Sequence, residues 1–186
     1  STGDYNTVGG YNCSTNLGSG TYNLFAGTYS GVGAGTSTTG SINVGLGANA
    51  LQNFTSGSDN VAIGRWACRQ LTSGSLNVSV GEKCVGGLGG VTGHYNVGIG
   101  HEALSGVTST VSGSYNTAIG DQALREVTSG YNNTAIGQMA GYKLTTGHHN
   151  VCIGHEAGYE GGASNINVMI GYKAGKNNGN ANAGGN

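Results

Sequence analysis

The chain has 186 residues, of which 39 are Gly, none is Pro and only 8% are charged. Collagen is excluded because Gly does not occupy every third position and Pro is absent, and disorder is disfavoured because ten Tyr and a regular Val/Ile pattern accompany the Gly. The formal net charge of −1 provides no electrostatic basis for binding nucleic acid, and no apolar run approaches the ~20 residues that span a bilayer.

A single motif recurs ten times along the chain. In each copy an Asn stands four residues before a Gly, and successive Asn residues are 17 to 20 positions apart. The consensus is [Ser/Thr]-Gly-x-x-Asn-[Val/Thr]-[small]-[Ile/Val]-Gly-x-x-[small], and a period of this length predicts a stacked repeat architecture. The structural repeat positions include Asn60 and Gly64, Asn96 and Gly100, Asn116 and Gly120, Asn133 and Gly137, Asn150 and Gly154, and Asn167 and Gly171.

Each copy predicts one rung of a parallel β-solenoid. In Asn150–Gly154, Val151 and Ile153 are two residues apart and share one face of a strand, whereas Cys152 faces the other way. Gly permits tight corners, and Asn tolerates left-handed backbone. We therefore expect a short apolar strand, a glycine corner, a second short strand carrying the small residue, and a Ser/Thr-Gly return. Stacking of rungs ~4.8 Å apart would align the Asn side chains in an amide ladder.

The rungs are not identical along the chain. The first two copies, at Asn6 and Asn23, depart from the consensus as terminal capping repeats do. The stretch Gly86–Gly90 belongs to an insertion that lengthens its repeat to 19 residues, and it lacks the Lys-Ser/Thr ending of a phosphate-binding loop. Helix is disfavoured by the Gly content, apart from single turns such as His101–Leu104. We assign residues 1–175 to the repeat domain and the Gly/Asn-rich residues 176–186 to a flexible end or linker.

The small apolar content of each rung points to an assembly of several chains. The eighth rung has little beyond Thr134, Ile136, Met139, Tyr142 and Leu144. Ordering a rung of 17 residues costs on the order of 25 kcal/mol, whereas burying each large apolar side chain returns about 1.5–3 kcal/mol. Only the Val/Ile wall is convincingly apolar, and we expect the small-residue face to be buried where chains press together around an axis.

The motif resembles repeats of known fibre proteins. Asn-[Thr/Val]-Ala-Ile-Gly-x-x-Ala is similar to the repeats of phage-type tail-fibre proteins and to the Val-Ala-Ile-Gly repeats in the heads of trimeric autotransporter adhesins. The copies at Asn60–Gly64 and Asn116–Gly120 match best, and the resemblance covers about residues 2–175. It implies an all-β fold, a parallel β-solenoid or β-roll of about ten rungs of 17–20 residues, left-handed and homotrimeric.

The same resemblance implies a structural or adhesive segment of an extracellular viral or phage tail fibre that takes part in host attachment. A host surface glycan or protein receptor would be its partner, with no nucleic acid and no membrane insertion. Two alternatives remain open, namely the head domain of a bacterial cell-surface trimeric adhesin and a protomer of an extracellular structural filament. An ice-binding solenoid is disfavoured because the Val/Thr column is Thr in only three copies.

No catalytic, cofactor-binding or metal-binding residue is predicted. His101-Glu102 and His155-Glu156 hold the same repeat position, but one carboxylate beside a His does not make a metal site, and we interpret them as solvated corner residues. His148 and His149 are interpreted as a surface cluster. No Ser lies in the Gly-x-Ser-x-Gly context that a hydrolase would combine with His and Asp.

The Tyr and Cys residues are predicted to contribute to packing. Tyr95 and Tyr115, which directly precede Asn residues, are expected to cover the hydrophobic wall, with stacking on sugar rings as the alternative. Cys84 occupies the small column and is predicted to be a buried free thiol. Cys68 is expected to be the least constrained cysteine, pointing to the opposite face from Cys84 if both lie on strands. The remaining cysteines are Cys13 and Cys152.

Overall fold

The computed structural model describes residues 3–35, 38–106 and 110–177, so most of the predicted linker lies outside the described residues. Ten strands, each of three residues, form one parallel sheet in sequence order. Their bounds are β1 Thr7–Gly9, β2 Leu24–Ala26, β3 Val44–Leu46, β4 Val61–Ile63, β5 Val78–Val80, β6 Val97–Ile99, β7 Thr117–Ile119, β8 Thr134–Ile136, β9 Val151–Ile153 and β10 Val168–Ile170. The predicted all-β parallel solenoid is confirmed.

The register of the sheet repeats from rung to rung. Val151 pairs with Val168, Cys152 with Met169 and Ile153 with Ile170, and each neighbouring pair of strands aligns equivalent positions in the same way. Parallel strands require a crossover connection, and here the rest of each rung supplies it. Each rung therefore places its Asn, its corner Gly and its strand directly above those of the previous rung.

The predicted second strand is wrong, because the backbone after the corner Gly alternates in handedness. Gln122 and Leu124 have φ values of 58° and 49°, and they flank the small residue Ala123. Left-handed residues at every second position exclude both an extended strand and a helical turn. The same geometry occurs at Glu102 and Leu104, so the helical turn predicted for His101–Leu104 is also absent.

No second sheet forms in the described turns, and hydrogen bonds between rungs fix these turns instead. The backbone N–H of Gln122 donates to His101 O at 2.9 Å, and that of Leu124 donates to Ala140 O at 3.0 Å. One bond therefore runs to the preceding rung and the next to the following rung. Because buried backbone groups must be paired, this alternation explains how a segment with so little regular structure can lie inside a rod.

Two glycine columns are required by the close approach of successive rungs. Gly120 has φ of 132°, and a Cβ atom there would lie 2.6 Å from Gly137 O. Gly113, in the Ser-Gly return, has no unusual φ, but a Cβ atom on it would lie 1.8 Å from Gly130 O. The first column therefore needs Gly for its backbone angle as well as for space, and the second needs Gly for space alone.

The Asn column forms the amide ladder that the repeat predicts. In every rung from Asn23 to Asn167, the backbone N–H of the Asn donates to Oδ1 of the preceding Asn. Asn116 shows the full pattern, since its Nδ2 also donates to Asn96 Oδ1 at 3.2 Å and to Gly130 O at 2.8 Å. From Asn23 to Asn150 these side chains are buried, so the ladder is an internal polar spine with every amide satisfied by its neighbours.

The core lies on the side of the sheet that carries the small residues, contrary to the expectation that this face joins separate chains. The middle residue of each strand from β2 to β10 is buried within the single chain, as are the column residues Ala50, Ala67, Ala103 and Ala123. Apart from Phe25 of β2 and Met169 of β10, the large core residues come from the turns and include Leu51, Phe54, Leu71, Leu104, Leu124 and Leu144. Small strand residues are needed because these turn side chains fill the interior.

Candidate functional site

The outer face of the sheet is a continuous apolar surface along the described chain. Val97 and Ile99 flank the buried Gly98 in β6 and point away from the core, and Ile99 is 39% exposed. The outward pairs of β3 to β9 are Val44 and Leu46, Val61 and Ile63, Val78 and Val80, Val97 and Ile99, Thr117 and Ile119, Thr134 and Ile136, and Val151 and Ile153. We call these two columns the outer sheet face. None of these residues is charged, and none is fully buried.

A column of left-handed residues, four of which are Tyr, directly precedes the Asn column. The residue before each Asn has positive φ in all ten rungs, from Tyr5 to Ile166. Tyr95 and Tyr115 hold this position, and their rings stack at a centroid distance of 4.9 Å with an interplanar angle of 4°. Tyr5 and Tyr22 stack in the same way. These rings therefore cover one another, those of Tyr95 and Tyr115 remain about half exposed, and their covering of the hydrophobic wall stays a prediction.

The histidines contact residues of adjacent rungs, although Nδ1 of His155 is buried without a hydrogen-bond partner in the described chain. His101 Nδ1 is 2.9 Å from Asp121 Oδ1, which is the neighbour that the repeat spacing indicates. His155 stacks on Tyr172 with 5.4 Å between the ring centroids. His148 and His149 contact each other, and both pack on Tyr131. The contacts of His101 with Asp121, of His155 with Tyr172 and of His148 with Tyr131 each join like positions of neighbouring rungs.

Glu102 is the centre of an ionic network that extends over several rungs. It accepts from Arg125 Nε at 2.6 Å and lies 3.5 Å from Lys83 Nζ, while Arg125 donates to Tyr142 Oη. Partial burial raises the pKa of the Glu102 carboxyl, but the hydrogen bond and charge of Arg125, with His101 and Lys83, outweigh it and lower the pKa. The network links four successive rungs, which is the arrangement that stabilises a stack.

The cysteines are free thiols, and three of them are buried. Cys68 and Cys84 both lie in the core at 0% exposure and neither lies on a strand, so the expectation that Cys68 is the least constrained cysteine is wrong and the condition for its facing away from Cys84 is not met. The reason is the alternating turn, which directs the residue after the small column inward as well. Burial raises the pKa of Cys68 to about 12 and that of Cys84 to about 11, so neither is a reactive thiolate at neutral pH.

Within the described ranges no group of three or more His, Cys, Asp or Glu residues is arranged to hold a metal ion. The same ranges contain no helix long and apolar enough to cross a membrane. No protein-family model matches the chain, and searches of curated proteins and of solved structures find no match. The surfaces described above are therefore the basis for assigning a function.

Proposed function

We propose that this chain is a structural and adhesive segment of an extracellular viral or phage tail fibre involved in host attachment, a left-handed solenoid that assembles as a homotrimer. The observation that carries this proposal is the outer sheet face. Two columns of Val, Ile, Leu and Thr run along the rod and are left partly exposed by the chain itself. Soluble monomers rarely expose a continuous apolar surface of this extent.

A second and third copy of the chain are the best occupants of the outer sheet face. The face carries no charge, so it offers nothing for an electrostatic partner to recognise. Its side chains repeat with the spacing of the rungs, and equivalent rings along the rod stack 4.9 Å apart. Another copy has the same repeat and can match every rung, whereas an unrelated globular surface cannot. Closed symmetry around an axis would then bury the face of each chain.

The tail-fibre assignment also rests on the resemblance of the motif, and an adhesin head remains the second candidate. The strand Val61–Ile63, with sequence Val-Ala-Ile before the corner Gly64, supports either family. Both uses need a rigid rod, and both place the chain outside the cell or on the virion. Sequencing the gene that surrounds this segment separates them, since a membrane-anchor barrel indicates an adhesin and a tail-fibre chaperone indicates a virus.

The assembly is tested by the mass of the protein in solution. We expect sedimentation to give three times the 18.5 kDa of one chain, with an elongated shape. Placing Glu at Ile99 and Ile119 should shift the mass to one chain while the β circular dichroism persists, because both side chains point outward. The matched control is Ser129→Glu with Thr146→Glu, since these two residues are exposed on neighbouring rungs and lie outside the outer sheet face. A monomeric wild-type protein contradicts the trimer, and open-ended polymers favour the filament.

A further inference from the structure

The corner of the rod that carries the insertions contains a groove with a volume of about 390 Å³. Three rungs line it, among them Trp66 and Arg69 of one rung, Lys83 and Leu88 of the next, and Glu102 of the third. The 19-residue repeat is extended at this corner by Gly86–Gly90, and the wall of the groove is formed partly by this loop. Insertions in repeat proteins concentrate on one face, which is often the binding face, and this volume suits a small ligand.

Side-chain contacts fix the wall of the groove. With its amide nitrogen facing the loop, Gln70 donates to the carbonyl oxygens of Gly87 and Leu88, each at 2.7 Å. Trp66 is held by cations from two rungs, with the Arg65 guanidinium 4.4 Å and the Lys83 ammonium 5.6 Å from the ring centroid. Trp66 is the single Trp of the chain. An indole fixed in this way at the edge of a groove is a ready apolar surface for a ligand.

Arg69 distinguishes this groove from the rest of the surface. Among the described residues, every other Lys and Arg has a carboxylate within ion-pair distance, whereas Arg69 has none. Its side chain is exposed and lines the groove. A guanidinium presents a planar fork that pairs with a carboxylate through two parallel hydrogen bonds. The groove therefore offers one unsatisfied cation beside one aromatic ring.

Glu102 supplies an acceptor in the same groove. The Arg125 and Lys83 contacts keep it ionised, so it can accept hydrogen bonds from hydroxyl groups. A carboxylate in the lining disfavours a simple anion such as sulfate, but it suits a ligand that carries several hydroxyls as well as a negative charge. Sugars also present an apolar ring face that packs on aromatic side chains. The chemistry that satisfies all three groups is that of a sugar with a carboxylate.

We propose that this groove binds a carboxylated sugar, with the carboxylate on Arg69, the ring face on Trp66 and hydroxyls donating to Glu102. Nothing in the fold requires Arg69 to be a cation, because its side chain makes no ion pair in the described chain. The site is built from three rungs of one chain and goes beyond the proposed structural role. It would give the rod a receptor contact of its own.

Trp66 makes the test direct, because its fluorescence reports on the groove alone. Glucuronic acid and glucose are titrated into the full chain, since they differ only in the carboxylate. We expect a saturable change in emission with glucuronic acid and at least tenfold weaker binding of glucose, as the loss of a charge-assisted hydrogen bond implies. Arg69→Gln should abolish the preference, and Lys143→Gln, which removes a paired cation elsewhere, should leave it unchanged.

Several results would overturn the proposal: equal binding of the two sugars, no saturable change, an unaltered preference in Arg69→Gln, or competition by sulfate at the concentration of glucuronic acid. The sedimentation mass of each variant is measured in parallel. A monomeric protein that still prefers glucuronic acid contradicts the homotrimer and supports the groove. A trimer that binds neither sugar supports the homotrimer and contradicts the groove.

Discussion

The two faces of the ten-stranded sheet carry side chains of the same short strands, yet only one face is completed by the chain itself. On the inner face, Ala118 of β7 is fully buried beneath turn residues such as Leu124, and the Asn column runs beside it. On the outer face, Thr117 and Ile119 of the same strand remain partly exposed. The difference separates two tasks, because the inner face holds one rod together and the outer face is left available for association.

The largest loss of stability is expected when a Gly is replaced at a left-handed corner, where successive rungs approach each other closely. Gly120→Val introduces a β-branched residue at φ of 132° and a Cβ atom 2.6 Å from Gly137 O. We expect a loss of more than about 4 kcal/mol of unfolding free energy, measured by urea denaturation. Gly86→Val is the control, since the nearest atom to its Cβ is 3.5 Å away. Equal losses in the two variants would contradict the corner assignment.

The second largest loss of stability is expected from a substitution in the Asn ladder. Asn116→Asp keeps the shape of the side chain but removes the N–H groups that bond Asn96 Oδ1 and Gly130 O, and it buries a carboxylate. We expect a loss of about 3 kcal/mol at pH 7, because buried partners are left unpaired. Asn132→Asp, at the exposed position that directly precedes the ladder residue Asn133 of the next rung, should change stability little. A ladder that tolerates both changes equally would not be the internal spine of the rod.

The two faces can be compared directly within one strand. Ala118→Leu forces a large side chain into the filled interior and should cost about 2 kcal/mol by overpacking. Thr117→Leu places the same side chain on the outer sheet face and should leave unfolding of the dissociated chain nearly unchanged. Thermal unfolding at low protein concentration measures both. The assignment of inside and outside is contradicted if Thr117→Leu is the more damaging change.

The smallest change in stability is expected from the ionic network around Glu102. Since the folded state lowers the pKa of this carboxyl below the ordinary 4.5, its contribution to stability is present above that pH and is lost as the pH falls through the folded pKa. The contribution should be on the order of 1 kcal/mol, as for partly exposed ion pairs. Stability between pH 7 and pH 3 should fall more steeply in the wild type than in Glu102→Gln. Parallel curves would show that the network does not stabilise the stack.

The columns of the rod could be predicted from the sequence because each column requires the same type of residue in every rung. Asn116 and Gly120 recur since an amide ladder and a left-handed corner tolerate few substitutes. The core was harder to predict. Leu51, Leu104 and Leu124 follow the small residue in their rungs, and this recurring Leu was the signal that could have identified them. It was missed because the position reads as part of a second strand, where it would point away from the small residue.

The groove at Trp66 had no sequence signal at all. Trp66, Lys83 and Glu102 lie in three different rungs, and each occupies the second position after its corner Gly. Stacking brings equivalent positions within a few ångströms, so the residues meet although they are far apart along the chain. Arg69 follows Trp66 in the same rung, and the Gly86–Gly90 loop of the next rung forms part of the wall beside them.

By itself the sequence determined the repeat, its period and the parallel stacking of its rungs, since ten copies of one pattern can satisfy their Asn and Gly columns together only in register. Only the tertiary structure decided which side of the strands is the interior. Alternation along a three-residue strand places Val and Ile opposite the small residue, but it does not say which side the rest of the rung covers. The left-handed turns decide this, because they carry Leu and Val side chains onto the small residues and leave the outer sheet face exposed.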